Sequence, residues 1–377
     1  MLRACLTWVT AGAAALGLAA CGSSLNLSGF GEGGPADGGG SDSQGAEDSG
    51  VDASSAAADG GGDATPPTTA LLVHASPDLP DQRFCWEVGG AGPSNTLAPF
   101  PSGAPAPASN YPAVPVGGAV PIADASSLVG ATITLVGIDA NYLAMIEQGQ
   151  TTIPSCYARL TPGGAAASAA AVHELGTLPA GKVLTGAANV LAVVGCPPND
   201  LAGSVARCGA GWSLGAGNLH VDVIPLVSQS AQLDAGQLAV QAAHVSPALD
   251  QLQGQSPAIV TFGAQGQADA GVVASLAHES TSGPGAPALL TLGTTPQAFG
   301  ELGFGVDVSG ADGGAAHLWM SLEQSLELFA PMQDPSTFYA QPTSYVAAVV
   351  GDPAHPYGAP DAAYDGTGLH VLVLPLP

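Results

Sequence analysis

Positive charge is nearly missing from this 377-residue chain: 5 Lys and Arg stand against 30 Asp and Glu, for a formal net charge of −25. No Lys or Arg follows Arg207. Nucleic-acid binding needs basic side chains to displace counterions from phosphate, so nucleic acid is excluded as a partner, and so is steering of anionic substrates or lipid headgroups. Charged residues make up only 9% of the chain and aromatic residues 5%. A long amphipathic helical period is also missing, which leaves helix with little support. No CxxC spacing and no paired-histidine ligand motif occurs, so the sequence offers no zinc signature. What is plentiful is Gly (53) and Pro (32), with 46% hydrophobic residues. That combination fits short apolar strands separated by breaks. At roughly 150 residues per domain the length leaves room for two ordered domains once processed or tail segments are set aside.

Residues 1–20 have the layout of an export signal: Arg3 gives the positive start, an apolar stretch runs from Ala4 to Leu18, and small residues precede Cys21. Leu18-Ala19-Ala20-Cys21-Gly22 resembles the lipobox of bacterial lipoproteins. The resemblance implies cleavage before Cys21, lipid on its sulfur, and attachment to an envelope membrane by more than one acyl chain. Gly22, rather than Asp, follows the cysteine, which resembles the outer-membrane sorting pattern. Residues 21–69 read as a disordered tether of Gly, Ser, Ala and Asp, with eight acidic residues and no basic one. A Gly-rich chain of that length spans on the order of 35 to 40 Å.

Beyond the tether the sequence repeats itself. Val73-His74-Ala75-Ser76-Pro77 is echoed by Ala243-His244-Val245-Ser246-Pro247, and Val190-Leu-Ala-Val-Val-Gly195 by Val346-Ala-Ala-Val-Val-Gly351. Leu219-His220-Val221 is likewise echoed by Leu369-His370-Val371. Three matches in one order, separated by 170, 156 and 150 residues, indicate two homologous β domains at residues 70–228 and 236–377. The period inside the matches is two: Leu219, Val221 and Val223 alternate with His220 and Asp222, and Phe84, Trp86 and Val88 with Arg83, Cys85 and Glu87. Further strands are expected at residues 131–137, 153–160, 257–262, 288–292 and 316–322, and a turn or two of helix at 164–175. The expected fold is all-β: two tandem antiparallel β-sandwich-like domains after a disordered tether.

Ala70-Leu-Leu-Val-His-Ala-Ser-Pro-Asp-Leu-Pro80 is similar to the opening of a bacterial domain family of unknown function that begins VHASPDAP and closes on a VAVVG strand. That resemblance implies a secreted, mainly β, tandem and lipidated protein. It brings no established catalytic residues. The second copy departs from the pattern, because Ala248 follows Pro247 where the first copy has Asp78.

With Cys5 in the signal and Cys21 as the lipid site, Cys85, Cys156, Cys196 and Cys208 remain, an even count that indicates two disulfides in an exported chain. Three connectivities are open. The favoured one joins Cys196 to Cys208 around a short loop and Cys85 to Cys156 across a sheet.

Candidate chemistry is sparse. Gly211-Trp212-Ser213-Leu214-Gly215 matches the hydrolase elbow G-x-S-x-G, but an elbow needs a strand before it and a helix after it. His74 with His220, and His244 with His370, recur in both copies. If the first and last strands of each domain are neighbours, each pair, with Asp78 or Asp222, offers a metal or proton-transfer site. The competing reading has each histidine bonding a loop carbonyl. The acidic stretches at residues 307–312 and 361–365 lack a complete calcium ligand set. The expectation is therefore a lipid-anchored envelope protein with no cofactor and no catalytic residues, whose partner is an extracellular protein or glycan. The rival is a secreted metal-dependent or hydrolytic enzyme built on the repeated histidines.

Overall fold

A computed structural model describes residues 67–89, 113–148, 156–160, 170–198, 205–226, 233–234, 237–249, 258–264, 271–276, 288–291, 296–309, 315–329, 333–339, 343–354 and 368–376. The expected signal and most of the expected tether, as well as residues 310–314 and 361–365, lie outside them.

The first half contains β1 (Thr69–His74), β2 (Gln82–Val88), β3 (Ala119–Ile122), β4 (Ile133–Asp139), α1 (Ala140–Ile146), α2 (Cys156–Leu160), β5 (Val172–Leu178), β6 (Ala188–Val194), α3 (Val205–Cys208) and β7 (His220–Leu226). The second contains β8 (Gln237–His244), β9 (Ala258–Ala264), β10 (Gly271–Leu276), β11 (Ala288–Thr291), α4 (Pro296–Glu301), β12 (Leu302–Ser309), β13 (Ala315–Ser321), α5 (Leu322–Phe329), α6 (Pro335–Tyr339), β14 (Thr343–Val350) and β15 (His370–Pro375). The all-β class holds. Sheet I has strand order β3-β1-β6-β7 and sheet II β2-β4-β5; sheet III has order β11-β8-β14-β15 and sheet IV β10-β9-β12-β13. Sheets I and III are the same object made twice. In each, a parallel pair (β1 with β6, β8 with β14) is flanked by antiparallel edge strands.

Three expectations need correction. The repeated sheets are mixed rather than antiparallel, because β1 returns as β6 only after the chain has built the opposing sheet, and so long a crossover permits parallel pairing. Residues 156–160 are helix rather than strand: Cys156, Arg159 and Leu160 are all buried, and their spacing of three and four suits one helical face. Residues 172–175, read as part of a helical turn, belong to β5, where pairing with β4 outweighs the helix preference of the alanines before them.

Alternation explains the layering. In β1, Ala70 and Leu72 join Phe84, Trp86, Ile133, Leu135 and Leu175 in a core between sheets I and II. Leu71, Val73 and Ala75 face the other way, and with Val190, Ala192, Val194 and Ile224 they enter a second core made mostly of residues from the second half. Sheets I and III therefore pack face to face, and the four sheets stack in the order II, I, III, IV. Every described residue of β1 and β6 is buried, which accounts for continuous apolar runs where one-sided burial would show alternation.

The outer face of sheet II, which the sequence marks as polar at Arg83 and Cys85, is also covered. Asp139 ends β4 and caps α1, its carboxylate accepting from Asn141 N (2.7 Å) and Tyr142 N (3.4 Å). Leu143, Ala144 and Leu160 then lie over Cys85, Val136 and Ile138. In the second half Ser321 and Gln324 exchange bonds of 2.9 and 3.1 Å, a capping box that starts α5.

Candidate functional site

The three repeated motifs meet at one corner of each half. At the first, β1 ends at His74, Ala75 N donates to Val193 O (2.9 Å) and Ser76 Oγ to Gly195 O (2.6 Å). At the second, Val245 N donates to Val349 O (3.0 Å) and Ser246 Oγ to Gly351 O (2.5 Å). The serine thus ties the exit of one parallel strand to the end of its neighbour. The closing glycines have positive φ, 81° at Gly195 and 94° at Gly351, a region L side chains avoid. At Gly195 a Cβ would also lie 2.4 Å from Asn218 O. His-x-Ser-Pro and Val-Val-Gly are therefore two parts of one strand-end lock, present twice.

The repeated histidines do not come together within either half. β6 separates β1 from β7, and β14 separates β8 from β15, so the premise of neighbouring first and last strands fails. Each pair sits two strand spacings apart, about 9.5 Å. His74 is in register with Val193, and His220 with the next residue, Val194. Successive residues project to opposite faces, so the two rings lie on opposite sides of sheet I. His244 with Val349 and His370 with Val350 repeat this arrangement.

Each ring has its own surroundings. His74 is buried edge-on to Phe84, with ring centroids 6.1 Å apart, and its Nδ1 bonds Val114 O at 3.1 Å. Burial lowers its pKa to about 4, against the opposing pull of the Val114 and Pro115 carbonyls. His244 is likewise buried. His220 is half exposed; its Nδ1 bonds Asn218 O at 2.7 Å and its Nε2 lies 3.4 Å from Asp222, whose hydrogen bond raises its pKa. His370 is fully buried between the two halves, its Nδ1 2.6 Å from Gly368 O and its Nε2 2.9 Å from Gly117 O; burial lowers its pKa. Gly117 N in turn donates to His74 O at 2.8 Å. A repeated histidine from each half therefore converges on one glycine.

The other candidates disperse. Asp78 pairs with Arg207 at 3.1 Å and touches the Cys208 sulfur at 3.3 Å. Cys85–Cys156 and Cys196–Cys208 are the two disulfides, so that sulfur carries no proton and the contact is not a donated bond. Asp307 is held by His317 at 2.5 Å. Residues 211–215 form an exposed turn between α3 and β7, with Ser213 O accepting from Ala216 N and Gly217 N. The strand-to-helix elbow is not formed there, and the catalytic reading of Ser213 loses its geometry.

Sequence reasoning missed what the basic residues do. Arg159 forms a buried two-pronged pair with Glu147 at 2.6 and 3.0 Å, and Arg83 is fully buried. Arg207 Nη2 also donates to Pro77 O at 3.0 Å. Among the described residues Lys182 is the one exposed Lys or Arg. Nothing local in the sequence marks Arg83 or Arg159 as buried, or Arg207 as paired with Asp78. No family model matches the chain, and no curated protein matches it.

Proposed function

We propose that this protein is a non-catalytic module of the cell envelope, attached through lipid on Cys21 and held off the membrane by residues 22–69, where it captures or adheres to an extracellular protein or glycan. The observation that carries the reading is the fate of the repeated polar residues: Ser76, Ser246, His74 and His370 are engaged in bonds that hold strand ends and join the two halves. Residues used in this way build a stiff body for display rather than a reacting centre. Two disulfides suit the oxidising compartments outside the cytoplasm, and among the described residues no helix is long and apolar enough to cross a membrane. The resemblance to the VHASPDAP-type domain supports the same placement, and we assign both halves to that type.

Mass spectrometry of the amino-terminal peptide tests the anchor. A diacylglyceryl-modified Cys21, together with loss of the protein from the membrane fraction in Cys21→Ala, is expected; an unmodified Cys21 in a soluble mature chain refutes it. The competing enzymatic reading is tested by melting the oxidised protein with zinc or calcium. A ligand at a hundred times its Kd adds about 2.7 kcal/mol. A gain of that size abolished by His74→Ala or His244→Ala would overturn the non-catalytic reading, and a gain with a glycan would strengthen it.

A further inference from the structure

At the corner where the two halves meet, three potential metal donors converge. One oxygen of Asp78 and the sulfurs of Cys196 and Cys208 all lie within 4.8 Å of one another. Both cysteines are fully buried. In the oxidised protein the sulfurs are bonded to each other and are not metal ligands. The backbone around this disulfide is held by hydrogen bonds as well as by the S–S bond. Asn218 Oδ1 accepts from Cys196 N at 2.9 Å while its Nδ2 donates to Cys208 O at 2.9 Å, so a single side-chain amide spans the two cysteines. Asn218 N also donates to Cys196 O at 2.9 Å. Opening the S–S bond therefore leaves two cysteines whose backbones stay side by side, with side chains free to turn both thiols toward one ion.

We propose that the reduced form of this corner is a divalent soft-metal site, with zinc or cadmium bound by Cys196, Cys208 and Asp78 and a fourth position open to water, so that disulfide and metal exclude each other. The donor set, two thiolates and one carboxylate, suits tetrahedral zinc. Reduction by a dithiol through a mixed disulfide breaks the S–S bond, oxidises the reductant to its own disulfide and leaves two protein thiols. The metal then displaces their two protons to solvent. Arg207, 3.1 Å from Asp78, favours the thiolates and balances the charge: one dication, two thiolates, one carboxylate and one guanidinium sum to zero in a partly buried place. This inference is independent of the lipid anchor, and the sequence gives no hint of it, because the cysteines are twelve residues apart and the carboxylate comes from a distant turn.

The test is a cadmium titration of the full chain kept reduced with a phosphine, read by the sulfur-to-cadmium charge-transfer band in the ultraviolet, with the Cys196→Ser/Cys208→Ser variant as the background for the remaining thiols. The expected result is a band in excess of that variant which saturates at a single equivalent, with affinity weakened at least about tenfold by Asp78→Asn. Zinc should also raise the melting temperature of the reduced wild type but not of the double variant. If the reduced chain loses its tertiary signal without metal, zinc should restore near-ultraviolet circular dichroism in the wild type alone. No excess band, an affinity untouched by Asp78→Asn, or no zinc-dependent gain in melting temperature or tertiary signal would each overturn the proposal.

Discussion

The two halves share a strand order yet are fastened by different means. The first carries both disulfides and the buried Arg159–Glu147 pair. The second has no cysteine and instead packs Phe299, Phe338, Tyr339 and Tyr345 with ring centroids 4.8 to 6.0 Å apart. Its tyrosine hydroxyls donate to Leu322 O and Phe338 O, at 3.2 and 2.8 Å, so the aromatic bodies are buried without orphaning their polar tips. Where Cys196 follows the closing glycine in one half, Asp352 follows it in the other. The lesson is that backbone topology and the strand-end lock define this unit, while the means of holding its periphery can be exchanged.

The sharpest way to break the comparison is to remove the covalent fasteners. In the chain-entropy account the disulfide with a sequence separation of 71 stabilises by about 4 kcal/mol and the one with a separation of 12 by about 3 kcal/mol. Cys85→Ala/Cys156→Ala should therefore lower the stability found by denaturant titration by about 4 kcal/mol. Because sheets I and III share a core, the loss should move a single cooperative transition. A first half that unfolds alone, leaving a second transition in place, would show that the shared core does not couple the two.

Acid offers a slightly smaller lever. His74 has a folded pKa of about 4 against 6.5 for the free side chain, so between those values the unfolded chain binds the extra proton. Its contribution is complete above pH 6.5 and is lost as pH falls toward 4, by about 3 kcal/mol in all. His74→Asn, which keeps a donor for Val114 O but cannot titrate, should flatten that limb of the stability profile; an unchanged slope would assign the acid sensitivity elsewhere.

The smallest effect is the most discriminating, because it sets equivalent positions against each other. His370 and His220 begin corresponding strands, but the first is sealed between the halves and the second is half exposed beside Asp222. His370→Ala leaves the buried Gly117 carbonyl without its partner and should cost about 2 kcal/mol. His220→Ala should change stability by no more than about 0.5 kcal/mol. The two histidines also answer pH in opposite senses. His370, with its pKa lowered, gives stability that is lost on acidification, whereas His220, with its pKa raised, gives stability present in acid and lost as pH rises through its folded value. Equal losses from the two substitutions would mean that the halves meet symmetrically after all.

Much of this was open to reading from the residues, and the boundary of what was not is physical. Alternation at Phe84, Trp86 and Val221 marked strands, the three echoes marked the duplication, and the positions of four cysteines favoured the pairing that is found. Alternation reports one buried face per strand, however, and β1 and β6 have two. The apolar runs of residues 69–74 and 188–194 carried that message only as a loss of period, which a buried strand and a short buried helix share. Pairing order was hidden for a related reason: nothing local at His74 or His220 says that β6 lies between them. The recurrence that pointed to paired ligands was real, but it reflected a repeated corner of backbone.

The placement of the basic side chains governs how the protein meets proteases. Enzymes that cut after Lys or Arg must draw the target side chain into a specificity pocket along with the backbone around it. Arg83 and Arg159 lie inside the fold, and Arg207 is paired with Asp78 within the loop closed by Cys196 and Cys208. That leaves Lys182, in the turn between β5 and β6, as the place in the described body where trypsin-like digestion of the native chain can begin. A body in which every basic cleavage point but Lys182 is buried or paired resists that class of enzyme through composition and burial alone.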